Sequence, residues 1–338
     1  MSDQLTEVYA SIDALVDYAL DHLDLDPRNA DWTRNQIFAL FHLDSYPGPK
    51  TTTSAASVSD AVQDIVGSRS QAPSDEKTPD PLLAAFRAAA TTAGLFDPEE
   101  GPAYADTIMG ILSANPADLD DRFLLIEHRD GGMAAMQWFY DYCVANNYVK
   151  RAQLDRNPRF DSHGLTVTIN LAKPEFKNMK KAAAGNAVSG GYPKCTICHE
   201  NEGFAGRDKR TLRTLPVTLG GESWFWQFSP YGYFDQHGIC VNTDHTPMHV
   251  DRDTFGHLLD FVDRFPGYFL GCNAALPRIG GSVLAHDHYQ GGGELLPMHK
   301  AATWAAFTLA DYPDAVVEIL DWPGTAVRVV AKSRDTII

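Results

Sequence analysis

Basic charge is scarce in this chain. Lysine and arginine number 28 against 44 aspartates and glutamates, a formal net charge of −16 over 338 residues. Such a surface repels polyanions at long range and argues against nucleic acid or anionic lipid as a partner. An anionic substrate would need a local basic pocket set against that field. Cysteine is also scarce: five residues make no disulfide framework in a chain this long, which fits a reducing cytoplasm. No apolar run reaches the ~20 residues needed to cross a bilayer, so no membrane partner is expected. The opening Met1-Ser2-Asp3-Gln4-Leu5 lacks the basic and apolar segments of a signal peptide. No internal repeat is visible. What is present is 44% apolar content, enough for substantial cores, in a length suited to roughly two or three domains.

The first 150 residues read as helical. Val8, Ile12, Leu15, Val16, Ala19 and Leu23 recur at helical spacing, and Ile37, Leu40 and Phe41 mark a second helix. Residues 49–80 are rich in Ser, Thr, Ala, Asp and Pro and read as loop, with a short helix around Val58–Ile65. Further helices are expected near 81–94, 104–113 and 133–146. After Arg151 the character changes. Strands are expected at Leu165–Leu171, Thr211–Leu219, Ser223–Phe228, Gly238–Asn242 and Tyr268–Asn273, with a helix over Thr254–Phe265. This predicts an α+β chain: a helical region over 1–150, a mostly antiparallel sheet domain with a helix on one face over 151–300, and a further piece over 301–338. In that last piece Ala301–Leu309 reads as helix and Ala326–Ala331 as strand.

The most informative stretch is Gly280-Gly281-Ser282-Val283-Leu284-Ala285-His286-Asp287-His288-Tyr289-Gln290-Gly291-Gly292. In a strand, His286, His288 and Gln290 would share a face. His288 is the candidate nucleophile, because a neutral imidazole can attack phosphorus and form a phosphoramidate. Gly281 lets the backbone approach an anion, Ser282 adds a hydroxyl donor, and Gly291-Gly292-Gly293 would leave the other side open. Gln290 can hold phosphoryl oxygens but cannot shuttle a proton. That favours transfer between phosphate-type donors and acceptors over hydrolysis, since a phosphate leaving group needs little proton assistance. Asn273, at a strand end, is a candidate for binding phosphate or ribose hydroxyls. Arg207, Arg210, Arg213 and Arg278 are the local cations, and Arg207 and Arg278 are candidates to neutralise a diphosphate. Trp224, Phe225, Trp226 and Phe228 could stack a base, though an aromatic run in a strand is more often core.

Cys195-Thr196-Ile197-Cys198 has the bite for tetrahedral zinc, but a single C-x-x-C is weak by itself, and a redox pair or two free thiols are its commoner readings. Two histidines would have to complete the site. His245 and His286 are candidates, in competition with His199, His237 and His249, whose ordinary reading is surface or hydrogen-bonded histidine.

Taken together, these residues resemble a known family. The run Tyr192–Arg207, with Pro216–Leu219, Phe228–Tyr231, His245–Met248, Phe265–Phe269 and Asn273–Gly292, is similar to the galactose-1-phosphate uridylyltransferases of the second, mainly bacterial class. Looser likeness, as in Arg34-Asn35-Gln36, extends through the helical region. The resemblance implies a histidine-triad-like antiparallel sheet with packed helices. It implies UMP transfer between UDP-glucose and galactose 1-phosphate by a ping-pong route, with the uridylyl group carried on His288 and held by Gln290. It implies a structural zinc on Cys195, Cys198, His245 and His286, and a homodimer. Members continue beyond the position matching Ile338, so residues 301–338 are expected to begin a truncated C-terminal domain, with turnover impaired. Two other readings stay open: a histidine-triad nucleotide hydrolase, and an inactive zinc-stabilised module.

Overall fold

The computed structural model describes residues 3–48, 78–171, 191–276 and 283–338. The expected Val58–Ile65 helix lies outside them. The chain divides into two compact units: residues 1–125, 137–152 and 201–213 form the first, and 126–136, 153–200 and 214–338 the second.

The first unit is helical. It contains α1 (Asp3–His22), α2 (Ala30–Leu40), α3 (Asp80–Thr92), α4 (Gly101–Leu112), most of α5 (Pro116–Asp130) and of α6 (Gly132–Ala145). The stripe Val8, Ile12, Leu15 and Ala19 on α1 is buried against Phe86, Ile108 and Met109, as the 3.6-residue period requires. Helix α5 went unread in the sequence because polar residues dominate it; its buried positions are few, among them Leu119, Phe123 and Ile126. Arg213 is buried here with its guanidinium donating to the Ala114 carbonyl at 2.7 Å, so it serves the scaffold.

The second unit is built on antiparallel pairs. A short helix, α7 (Arg151–Leu154), joins the two units in sequence. The hairpin β1 (Arg159–Ser162) and β2 (Leu165–Thr168) follows. The main sheet contains β3 (Leu215–Leu219), β4 (Glu222–Phe228), β5 (Gly238–Asn242), β6 (Phe269–Cys272) and β7 (His288–Gly292), in the order β3-β4-β5-β7-β6. Helix α8 (Arg252–Arg264) starts at Asp251, whose carboxylate accepts from the Asp253 and Thr254 amides in a capping box. It covers one sheet face: Phe261 packs on Trp226 and His257 on Trp224. The α+β class is therefore as expected.

The C-terminal piece differs from the sequence reading. Residues 303–309 are not helical but form β8 (Thr303–Leu309), paired with β9 (Tyr312–Leu320), which pairs in turn with β10 (Val327–Val330); the short helix α9 (Arg334–Ile337) follows. The alanines of β8 favour helix locally, and a register irregularity between Thr303 and Ala305 breaks the period-2 pattern. Pairing with β9 overrides both. Trp304 is 75% exposed on this small sheet.

Candidate active site and metal centre

The register fixes what faces what on the main sheet. Gln290 lies directly opposite Ile239 on β5 and Gly271 on β6; His288 lies opposite Val241. The face of His288 and Gln290 therefore also carries Phe225 and Gln227 from β4. Asn273 follows directly after β6, which ends at Cys272 opposite Tyr289. The opposite face carries Tyr289 together with Trp224, Trp226 and Phe228. Those aromatics are core: Tyr289 and Trp224 stack at 4.8 Å, and the Tyr289 hydroxyl meets His257 Nδ1 at 3.0 Å. Phe225 is buried on the site face under the edge of His199, with ring centroids 5.1 Å apart.

Strand β7 begins at His288, two residues later than the motif suggested. His286 precedes it in a bend and is turned to a different task. Its Nδ1 lies 3.3 Å from Cys195 Sγ and 3.6 Å from Cys198 Sγ. His245 Nδ1 lies 3.2 Å from Cys198 Sγ, and the two sulfurs are 3.3 Å apart. Among the described residues, Cys195, Cys198, His245 and His286 are brought together with their ligand atoms all within 4.8 Å of one another. This cluster can bind a metal. A tetrahedral zinc spaces sulfur from sulfur by about 3.8 Å and sulfur from nitrogen by about 3.5 Å, so the donor set and its spacing fit. His286 Nε2 donates to the Asn242 carbonyl at 2.7 Å, which fixes the tautomer with Nδ1 free to ligate. Burial pushes the Cys195 thiol up to about 12 and the His286 imidazole down to about 4.

His288 is held by the same bend. Its Nδ1 lies 2.8 Å from the His286 carbonyl, so Nδ1 carries the proton and Nε2 the lone pair. Burial lowers its pKa and favours the neutral, nucleophilic ring. The ring is 4% exposed, so attack on a substrate requires its Nε2 edge to be uncovered. Among the described residues, Asn273 Nδ2 is buried with no hydrogen-bond partner, which leaves a donor in reserve just beyond β6. Asp287, between the two histidines, is fully buried; its carboxylate lies 3.6 Å from His249 Nδ1, and burial raises it to about 6.

Gly281, Ser282 and Arg278 lie outside the described residues. Arg207 ends a 3-10 turn, Ala205–Arg207, and belongs to the helical unit, not to the unit that carries His288. The glycines after Gln290 do not leave open space. A Cβ on Gly291 would fall 2.1 Å from the Phe269 carbonyl oxygen, and one on Gly292 2.6 Å from the Phe234 ring. They permit close backbone approach instead. One neighbour that the sequence offered only as a competing metal ligand is His237, with Nε2 3.4 Å from Gln290 Oε1. A cleft of about 730 Å³ in the same unit, lined by Asp161, Thr166, Glu294, Lys300 and Trp322 among others, includes none of the residues above.

Comparison with known proteins identifies the family. Residues 69–247 match the model of the galactose-1-phosphate uridyl transferase N-terminal domain. The chain belongs to the galactose-1-phosphate uridylyltransferase family. It is 96% identical over 338 residues to such an enzyme from Bifidobacterium longum, covering 100% of this chain and 66% of that protein. A uridylyltransferase from Butyrivibrio fibrisolvens is 34% identical over 337 residues, covering 97% of this chain and 82% of its own length. One from Caldanaerobacter subterraneus is 36% identical over 272 residues, or 77% and 52% of the two chains. The chain thus spans just under two thirds of the Bifidobacterium relative. No solved structure matches.

Proposed function

We propose that this chain carries the uridylyl-transfer chemistry its relatives are named for, with UDP-glucose as donor and galactose 1-phosphate as acceptor. The observation that carries the reading is the His288 tautomer. Nδ1–H is committed to the His286 carbonyl, leaving Nε2 as nucleophile on the face shared with Gln290. Nε2 attacks the α-phosphorus, an N–P bond forms, and the bond from that phosphorus to the bridging oxygen breaks. Glucose 1-phosphate leaves with the electron pair. The imidazole keeps its Nδ1 proton throughout, and the carbonyl dipole steadies the positive charge the ring acquires. Galactose 1-phosphate then attacks the same phosphorus and restores the free ring.

Gln290 and Asn273 donate hydrogen bonds to the phosphoryl and sugar oxygens. Neither can take a proton from water. That disfavours hydrolysis and keeps the intermediate for a phosphate acceptor. Zinc on Cys195, Cys198, His245 and His286 supplies a structural cross-link. The cluster reaches the nucleophile through His286, which uses its ring for the metal and its carbonyl for His288. Ligation needs reduced thiols, so a cytoplasmic setting suits it. Among the described residues, no helix is long and apolar enough to cross a membrane.

The test is incubation with UDP-glucose alone. The transferase reading expects a single burst of glucose 1-phosphate, at most one per chain, that stops until galactose 1-phosphate is added. Continuous release of UMP would assign hydrolysis instead.

A further inference from the structure

Gln290 works as proposed only if its amide nitrogen, not its carbonyl oxygen, faces the phosphoryl group. The two ends of a carboxamide have nearly the same shape, so packing does not choose between them. A neighbouring polar group must.

His237 is placed to do so. It lies two residues before Ile239, the direct partner of Gln290, and so falls on the same sheet face, diagonal to Gln290. Its Nε2 is 3.4 Å from Gln290 Oε1, at the long end of hydrogen-bonding range. The imidazole is buried and packs against two rings, with centroids 4.7 Å from Tyr233 and 4.5 Å from Phe234. Its backbone is tied on both sides. The carbonyl accepts from the Ser229 amide at 2.8 Å, and the amide donates to the Phe234 carbonyl at 3.3 Å. Gly232 makes this closure possible, because a Cβ there would fall 2.8 Å from His237 Cβ.

We infer that His237 is a positioning residue. Its Nε2–H donates to Gln290 Oε1 and so turns the Gln290 amide N–H groups toward the phosphoryl oxygens carried on His288. The role rests on the uridylyl-transfer reading above. With His237 replaced by an apolar group, the hydrogen bond that opposes rotation of the carboxamide is lost. Half of the orientations would then present a carbonyl oxygen to an anion, and the transition state would lose a fixed donor. The intermediate histidine and its metal-linked neighbour would be untouched.

Two measurements test this. The first needs no substrate: nitrogen-15 correlation spectra of the imidazole rings in the metal-loaded protein, with His237 assigned by the signals lost in His237→Gln. The expected result is a protonated Nε2. An unprotonated Nε2 overturns the role, because that nitrogen could then only accept from a flipped Gln290. The second is the rate of UMP attachment from UDP-glucose. His237→Leu should label about tenfold more slowly, with half-saturating UDP-glucose within about twofold, and His237→Gln should recover most of the rate. A glutamine extends a donor to nearly the same point, whereas a purely structural role would be served no better by it than by leucine. Labelling of His237→Leu at the unchanged rate, or of His237→Gln as slowly as the leucine variant, overturns the role. Absence of label on all three proteins overturns the uridylyl-transfer reading and the role with it, whereas an unprotonated Nε2 overturns the role alone.

Discussion

His288 and Tyr289 are neighbours in sequence on β7, yet they serve opposite sides of one sheet. Tyr289 points to the helix side, stacked on Trp224 and hydrogen-bonded to His257, with Trp226 and Phe261 beside them. His288 points to the other side with Gln290 and Gln227. Among the described residues, buried polar atoms without a hydrogen-bond partner occur on both sides, the Trp224 and Trp226 indole N–H groups on one and Gln227 Oε1 on the other. What separates the faces is the chemistry of their side chains: one stabilises the fold with rings that fill volume, the other carries an imidazole and carboxamides able to meet an anion. The alternation of a strand lets a single segment do both, and the two faces should therefore fail differently when altered.

The sharpest way to break that contrast is His288→Asn. It should abolish UMP attachment, by at least about a thousandfold, while leaving the thermal midpoint close to that of the unchanged protein. Attachment surviving in this variant would move the nucleophile elsewhere. Trp224→Ala, on the helix face, should do the reverse. Truncating a fully buried indole costs about 3–5 kcal/mol, while the folded fraction should label at a nearly unchanged rate. Cys195→Ser tests the link between fold and site. It should lower metal content measured by elemental analysis, and loss of about 3 kcal/mol of metal-linked stability would drop the midpoint by roughly 10 °C.

The pH response is smaller. Burial holds His288 below its ordinary pKa, so the unfolded chain binds that proton more readily than the folded one. Its contribution to stability is complete above about pH 6.5 and is lost as pH falls below that value. The labelling rate should be flat above neutrality and decline only well below pH 6.5. Smallest of all, Tyr289→Phe removes one hydrogen bond to His257 and should cost about 1 kcal/mol with no change in labelling. A large rate effect from Tyr289→Phe would mean that the two faces are not independent.

Much of this was legible from residue patterns. The α1 stripe, the strands of the main sheet and α8 follow from period and capping. The C-x-x-C suggested a metal, but the choice of His245 and His286 over His199, His237 and His249 depends on a bend and a strand end that spacing does not encode. The H-x-H motif read as one strand face, whereas only His288 is in the strand. That difference matters, because the bend frees the His286 ring for the cluster and its carbonyl for His288. The β8 strand was hidden by alanines whose local preference loses to pairing with β9. His237 stood out only as a competing metal ligand, since its place beside Gln290 comes from contacts that spacing does not encode. The glycines after Gln290 suggested open space, but neighbouring backbone and the Phe234 ring occupy it.

The most direct measurement is intact-mass analysis of the metal-loaded chain after mixing with UDP-glucose, followed by peptide mapping. The expected result is a single uridylyl unit per chain, located on His288 and discharged by galactose 1-phosphate. A folded, metal-loaded chain that acquires no such unit, or acquires it on another residue, would contradict the account.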